Sequence, residues 1–208
     1  MEAYIFNLVN LIAIYSILAV TLNFIMGYAG IYSLAHAVFF GLGAYTSAWV
    51  AQHVSPSIFG IGGVLAIPPV DIFGLEVFRP AQFAVLSVIV LVVVLLVINA
   101  LVHSSFGRNL RAIRDSESAA ASFGKNVPMI KTISVVISAA LAAVAGALYA
   151  SYLSFINVES FMLDTSVLVM AMVIIGGTGT VAGPIVGAAL LLLLPSVISY
   201  FDFLPRTE

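Results

Sequence analysis

SFGRNLRAIRDSESAAASFGK, residues 105–125, is the only extended polar stretch of an otherwise apolar sequence. It holds four of the chain's seven lysine and arginine residues: Arg108, Arg111, Arg114 and Lys125. Apolar runs long enough to cross a bilayer lie on both sides of it. Because loops rich in lysine and arginine stay in the cytoplasm, the sequence places this stretch at the cytoplasmic face and thereby orients the other spans.

Two short helices are predicted within residues 105–125. One face of the first carries charged residues beside an apolar stripe of Phe106, Leu110 and Ile113. The second follows a cap at Asp115 or Ser116 and ends at Gly124, with a nearly bare surface formed by Ala119, Ala120 and Phe123. Two readings fit this spacing equally well: a docking element that another protein approaches closely, or a solvated loop whose arginines set the topology and touch lipid phosphates.

The composition is that of a polytopic membrane protein. Hydrophobic residues make up 62% of the 208 and charged residues 8%, with a mean hydropathy of +1.20. The net charge of −2 and the confinement of basic residues to one loop give no indication of a nucleic-acid partner, and membrane lipid is the expected surrounding. The N-terminal residues lack the basic region of a secretory signal, so the first apolar run is expected to be a retained span.

The predicted fold class is an all-α bundle of about six transmembrane or partly broken helices with a cytoplasmic coupling helix, forming one domain over residues 1–208. The spans are placed at about 4–26, 32–52, 80–102, 128–150, 161–175 and 184–200, of which the fifth is short for a full crossing. Small residues at four-residue intervals, Ser138, Ala142, Gly146 and Ala150, predict that the fourth span is buried in the bundle.

The positive-inside rule completes the predicted topology. If the basic stretch is cytoplasmic, the N-terminus and the glycine- and proline-rich residues 53–79 are outside, and the turn at Gly27 is inside. The loop after the fourth span has Glu159 and Asp164 but no lysine or arginine, which agrees with an exterior position.

Two glycine breaks, at Gly27–Gly30 and Gly176–Gly183, lie in opposite halves of the chain. Such paired interruptions can mark a substrate pathway, although two tight turns at the cytoplasmic face would have the same sequence pattern. His36 is the only histidine inside a span, and either a functional role or a neutral ring bonded to a carbonyl fits it. The candidates for the translocation path are Asn23, Gly27, Gly30, Ser33, His36, Gly176, Gly177 and Gly179.

The sequence offers no catalytic constellation, and we expect a protein that is not an enzyme and carries no cofactor or metal. The chain has no cysteine, which excludes a thiolate metal site and a cysteine nucleophile. The glycine-rich stretch lacks the Gly-Lys-Ser/Thr sequence of a nucleotide-binding P-loop. An intramembrane serine protease would need a serine on a glycine turn, where this chain has threonines.

Three motifs in this order resemble the membrane-spanning permease subunits of bacterial ABC importers for branched-chain amino acids. They are LNFIMGYAGIYSLAHAVFFGLGAYT at 22–46, FGRNLRAIRD at 106–115 followed by ESAA at 117–120 and Gly124, and GGTGTVAGPIVGA at 176–188. The similarity extends over nearly the whole chain.

The resemblance implies a permease subunit of the bacterial cytoplasmic (inner) membrane that binds no nucleotide itself. It also implies three kinds of partner: cytoplasmic ATP-binding subunits, a homologous second permease and an extracytoplasmic substrate-binding protein. In such permeases the coupling segment sits in a groove of the ATPase, which would assign that contact to Arg108, Arg111, Arg114, Asp115, Glu117, Ala119, Ala120 and Gly124.

The chain departs from the family pattern in two places. Members usually have further membrane helices between the segments corresponding to Trp49 and to Gly62–Pro68, which are almost adjacent here, and many have a further last helix. A shortened natural form, a deletion or an incomplete gene would each account for this. The alternatives to an ATP-driven permease are therefore an ATP-independent channel or facilitator for small polar solutes, and a nonfunctional truncated permease.

Overall fold

The structure, a computed structural model, describes residues 2–54, 64–65, 71–72, 75–76, 80–153 and 155–200. The chain is an all-α membrane protein, as predicted. Its helices in order are α1 Glu2–Asn23, which continues as a π-helical segment Phe24–Tyr28, then α2 His36–Val54, α3 Pro80–His103, α4 Ser105–Asp115, α5 Glu117–Ser122, α6 Val127–Leu153, α7 Leu163–Gly176 and α8 Gly183–Tyr200.

Three helical stretches of the described residues are long and apolar enough to cross a membrane: Tyr4–Tyr28, Ala81–His103 and Val127–Leu153. They coincide with the first, third and fourth predicted spans. The apolar stretches of α7 and α8, Leu163–Gly176 and Gly183–Pro195, are shorter. The shortness of α7 agrees with the prediction of a partial crossing at residues 161–175.

Helix α1 lies at the centre of the bundle and packs against α3, α6, α7 and α8. Every residue from 16 to 29 is buried, on all sides of the helix. An apolar helix without a polar face is buried all round when other helices surround it. The helix at the centre of the fold also contains four buried polar residues, Asn10, Ser16, Thr21 and Asn23.

The small residues on α6 form its contact with α2, the most extensively packed pair of helices in the bundle. Ser138, Ala142, Gly146 and Ala150 are all buried, which confirms the predicted packing face. A Cβ atom at Gly146 would overlap the backbone of Phe40, and one at Gly43 would overlap the backbone of Ala143. Backbone-to-backbone approach of this kind is what small residues permit between membrane helices.

The second span begins later than the sequence predicted, at His36 and not at residue 32. After α1 ends, the chain turns at Gly30, where φ is +70°, and residues 31–35 run back beside the last turns of α1. The Ile31 N–H donates to the Ile25 carbonyl at 3.0 Å, and His36 lies beside Thr21. Thr21 precedes Tyr28 by about 10 Å at 1.5 Å per residue, so α2 begins well inside the bundle.

Short strands connect the loops that the charge pattern placed outside. Strand β1, Val64–Leu65, pairs antiparallel with β4, Phe155–Ile156, and β2, Asp71–Ile72, pairs with β3, Leu75–Glu76. The β1–β4 pair brings the 53–79 region next to the loop after α6, as expected for loops on one side of the membrane. The other predicted turn residues of 53–79, including Pro56, Gly62 and Pro68, and the tail at 202–208 lie outside the described residues.

Candidate functional site

The three sequence motifs meet at one place, where α4 lies against the end of α1 and the turn between α7 and α8. The residues in contact there are Asn23, Gly27, Gly30, Arg114, Gly179 and Thr180, which we call the glycine junction. Four of the eight predicted path residues, Asn23, Gly27, Gly30 and Gly179, are members of it. The two glycine breaks, 150 residues apart in the chain, are therefore in direct contact.

Gly27 lies so close to the backbone of Gly179 that it has no room for a side chain. A Cβ atom at Gly27 would lie 2.5 Å from the Gly179 nitrogen and 2.5 Å from Asn23 Oδ1. Gly179 also has a φ of +84°, in the left-handed region that side chains other than that of glycine rarely adopt. Close backbone contact and turn geometry thus both require glycine at this crossing.

The buried carboxamide of Asn23 links the two breaks. Its Nδ2 donates to the Thr180 carbonyl at 2.7 Å, and its Oδ1 accepts from the Gly179 N–H at 2.9 Å. Asn23 itself is 1% exposed, whereas its two backbone partners belong to the partly exposed turn between α7 and α8, so the carboxamide ties the buried end of α1 to that turn. A leucine of similar size at this position would leave both backbone groups unpaired.

Arg114 connects the coupling segment to the glycine junction. Its guanidinium donates to the Gly27 carbonyl, and its side chain passes Gly30, where an added Cβ would lie 3.3 Å from Arg114 Cγ. The Gly27 carbonyl belongs to the π-helical end of α1, and a cation is favoured at the carboxyl end of a helix by the helix dipole. Arg114 therefore interacts with its own membrane helices.

The other two arginines of α4 also make contacts within the chain. Arg111 donates to the Val102 carbonyl at 2.9 Å, and its guanidinium carbon lies 5.6 Å from the centre of the Tyr28 ring. Arg108 donates to Ser105 Oγ at 2.7 Å, within α4 itself. Of the three, Arg108 alone makes no contact with the end of α1 in the described part of the chain.

The surface of α4 and α5 that remains for a partner differs from the predicted one at Ala120. This residue is 6% exposed and packs against Ile113 and Val127, so its predicted place on a docking surface is wrong. Ile113, Ala120 and Val127 lie on α4, α5 and α6, so no single helical period in the sequence relates them. The other predicted coupling residues are exposed, and the neighbouring Phe123 is 84% exposed; these residues are Arg108, Arg111, Arg114, Asp115, Glu117, Ala119 and Gly124.

Neighbouring residues explain where α5 begins and ends. The Ser116 hydroxyl accepts from the Ala119 N–H at 3.3 Å and caps the start of the helix, as predicted. Gly124, with a φ of +73°, turns the chain after the helix. Lys131 of α6 forms an ion pair with Glu117 at 2.5 Å, which holds α5 against the start of α6. Glu117 thus has a partner within the chain.

A second polar cluster lies deeper in the bundle, around His36. The Thr21 hydroxyl donates to the Leu18 carbonyl at 2.8 Å and lies 2.9 Å from His36 Nε2. Since that hydroxyl proton is engaged, His36 donates to Thr21 through Nε2. Ser138 Oγ donates to the Thr21 carbonyl at 2.6 Å, and Ser166 Oγ accepts from the Ala37 N–H at 3.1 Å. Four helices meet here.

Sequence reasoning singled out His36 but missed its partners. Thr21 and Ser166 are isolated hydroxyl residues in apolar helices, and such residues bond to their own helix as often as to a neighbour. His36 is 1% exposed, and Nδ1 has no hydrogen-bond partner within the described part of the chain. His36 is bonded to a hydroxyl group, whereas the sequence suggested a carbonyl as its partner if the ring was neutral.

The remaining predicted path residues lie apart from the glycine junction's contacts. Gly176 and Gly177 belong to the close crossing of α7 and α8, where a Cβ at Gly176 would overlap the Gly183 carbonyl and φ at Gly177 is +99°. Ser33 lies in the 31–35 segment, partly exposed. In the described ranges no three histidine, aspartate or glutamate side chains are grouped so that they could hold a metal ion.

The chain matches the family model described as the permease component of branched-chain amino acid transport systems, over residues 4–74 and 65–207. It is 27% identical to the high-affinity branched-chain amino acid transport system permease protein LivM of Escherichia coli K12, over 94% of this chain and 64% of that protein. A probable LivM of Methanocaldococcus jannaschii is 28% identical over 69% of the chain and 42% of its own length. No solved structure matches.

A further relative is the autoinducer 2 import system permease protein LsrC of Salmonella paratyphi B, which is 32% identical over 52% of the chain and 33% of its own length. The chain spans less than two thirds of the length of the relatives it matches. The match to the Escherichia coli protein extends over 271 residues, whereas this chain has 208, so that protein has additional residues within the matched region. The family match divides at 65–74, close to the predicted shortening.

Proposed function

The chain belongs to the family of branched-chain amino acid transport permeases, and we propose that it is the transmembrane permease subunit of an ABC importer. The solutes are branched-chain amino acids or related small polar molecules. The names of the relatives support this range, since LivM proteins are named for branched-chain amino acids and LsrC for autoinducer 2. The relatives are transport permeases, which supports a protein that is not itself an enzyme.

The proposed location is the bacterial cytoplasmic membrane, with one multi-pass domain over residues 1–208. The spans α1, α3 and α6 cross fully, and α2, α7 and α8 complete the bundle as shorter or displaced helices. The basic α4–α5 region is cytoplasmic and the acidic loop after α6 is outside. The partners are cytoplasmic ATP-binding subunits, a homologous second permease and an extracytoplasmic substrate-binding protein.

The observation that carries the coupling role is Phe123, whose ring is 84% exposed next to the turn at Gly124. Burying a phenylalanine side chain is favourable by about 1.5–3 kcal/mol. In a segment that the positive-inside rule places in water, an exposed ring of this kind is a natural anchor for the groove of a partner. Ala119 and Gly124 beside it add little bulk, which permits close approach.

The roles of the candidate path residues follow from their depth. We assign Asn23, Gly27, Gly30 and Gly179 to the cytoplasmic end of the path, since they lie where α4 meets α1. His36 lies farther inside the bundle. We assign Ser33, Gly176 and Gly177 to positions beside the cytoplasmic end of the path and beside His36.

Co-purification of an ATPase and ATP-dependent uptake of leucine by the reconstituted complex test the proposal. We expect Phe123→Ala to reduce ATPase recovery about tenfold, as loss of a buried aromatic anchor does at other interfaces. Leu163→Ala, which shortens an exposed apolar side chain at the start of α7, next to the acidic loop, is the control and should leave ATPase recovery unchanged. Uptake that proceeds without an ATPase would instead establish a facilitator, and no uptake of any small polar solute would establish a nonfunctional permease.

A further inference from the structure

Arg114 is the one arginine of α4 that reaches both glycine breaks. It donates to the Gly27 carbonyl, and its Nη1 would lie 3.5 Å from a Cβ at Gly179. We infer that Arg114 is a positioning residue that transmits movement of the coupling segment to the glycine junction. This inference rests on the proposed function and assigns Arg114 a role in opening the solute exit, in place of its expected contact with the ATPase.

The glycine junction is built to move as a unit. The two hydrogen bonds of Asn23 join α1 to the α7–α8 turn, and the absence of side chains at Gly27 and Gly179 brings the two backbones into contact. When the Gly27 carbonyl is displaced, residues 179–180 therefore move with it. The end of α1 and the turn between α7 and α8 therefore both respond to movement of the Arg114 side chain.

The end of α1 has a structure that can accommodate such a displacement. Residues Phe24–Tyr28 are π-helical, and π-helical turns interrupt the regular hydrogen-bond ladder and occur frequently at functional sites. The carbonyl that Arg114 contacts belongs to this segment. A pull on it can change the local winding without unfolding the buried α1 above it.

The neighbouring arginines cannot serve the same role. Arg108 is bonded to Ser105 in its own helix, so it transmits nothing to α1. Arg111 bonds to the Val102 carbonyl at the end of α3, which is already linked to α4 through Ser104, and contacts Tyr28 only through its ring. Asn109 is therefore the control for Arg114: it is a polar residue on the same short helix that is not assigned to the ATPase contact, and in the described part of the chain it does not contact Gly27.

The test uses the full complex, with a pair of spin labels on a chain that has no natural cysteine. Thr178→Cys places one label on the exposed turn between α7 and α8, and Ala100→Cys places the other on the exposed side of α3 as a reference. The separation of the labels is measured with and without ATP in the parent chain, Arg114→Ala and Asn109→Ala. Leucine uptake, ATP hydrolysis and ATPase recovery are measured on the same preparations.

We expect the parent and Asn109→Ala to show an ATP-dependent change in separation that Arg114→Ala lacks. Arg114→Ala should retain the ATPase and hydrolyse ATP while uptake falls about tenfold or more, the effect of losing one charge-assisted hydrogen bond. Arg114→Lys, which keeps the charge but not the planar fork, should recover part of the uptake and serves as the test if Arg114→Ala does not fold.

Three results would overturn the inference. They are an unchanged ATP response in Arg114→Ala, full uptake by it, or loss of the ATPase from it, since the last would make Arg114 a docking residue. Failure of the proposed function is distinguishable, because the parent chain itself would then recover no ATPase or show no ATP-dependent uptake.

Discussion

Helices α1 and α3 are both apolar, of similar length and in contact with each other, yet they occupy opposite environments. In the most apolar window of α1, 56% of the residues are buried, whereas in that of α3 only 22% are, although α3 has the higher mean hydropathy, 3.3 against 2.1. In a bilayer, apolar side chains gain little by leaving lipid for protein. Hydropathy therefore does not identify the centre of this bundle; buried polar groups and glycines do.

The polar groups of α1 show why it is central. Asn10 bonds to Ser87 of α3, Asn23 to the α7–α8 turn, and Thr21 to His36 of α2. Each bond needs a partner on another helix, so α1 must be surrounded. Most of α3 is valine, leucine and isoleucine, and residues such as Val85, Ile89 and Leu96 are more than half exposed. The same substitution should consequently have opposite effects on the two helices.

The largest difference between α1 and α3 is expected when a larger side chain replaces a small one. Gly27→Val should destabilise the protein by roughly 3 kcal/mol, because overpacking at a backbone contact cannot relax through a rotamer change. Ala100→Val, on the exposed side of α3, should have no effect. Thermal unfolding in mild detergent, followed by size-exclusion chromatography, measures both, and equal midpoints for the two variants would contradict the close crossing of Gly27 and Gly179.

An intermediate difference is expected for removal of a carboxamide. Asn23→Leu should cost about 2 kcal/mol, since it removes both hydrogen bonds that join α1 to the turn between α7 and α8. Asn99→Leu makes the same change at an exposed position on α3 and should be neutral. If denaturant titrations gave the same unfolding free energy for both variants, the link between the glycine breaks would not exist in the folded protein.

The smallest effect is expected for the hydrogen bond that joins α1 and α3. Ser87 Oγ donates to Asn10 Oδ1 at 2.9 Å, and interhelical hydrogen bonds in membrane proteins contribute about 0.6 kcal/mol on average. A double-mutant cycle with Ser87→Ala and Asn10→Ala should give a coupling energy near that value. Additive effects, with no coupling energy, would show that the side chains are neighbours without an energetically significant bond.

Much of the fold could be predicted from the sequence because the decisive signals are local. Runs of about 20 apolar residues give the spans, small residues at every fourth position give the buried face of α6, and Ser116 with Gly124 gives the ends of α5. Each signal depends only on residues within a few turns of one another. The predicted helices α3 and α8 accordingly differ from the structure by one or two residues at their ends.

The candidate site was harder to predict from the sequence, because its contacts join distant parts of the chain. Helical spacing placed Arg111 with Arg108 on one face but did not show that this face turns toward Tyr28 and Val102. Asn23 and Thr180 are 157 positions apart, and no local pattern reports a bond between them. Ile113, Ala120 and Val127 lie on three separate helices, so the contact that buries Ala120 has no helical period in the sequence either.

The displaced start of α2 has a consequence for the lipid that surrounds the protein. Residues 31–35 run beside the last turns of α1 outside any helix, and Tyr32 and Leu34 are 75% and 51% exposed. Hydrocarbon cannot hydrogen-bond to a main chain, so an irregular segment at this depth cannot border acyl chains. The lipid belt around the protein must therefore be interrupted beside residues 31–35, where water or another protein chain has to border the main chain.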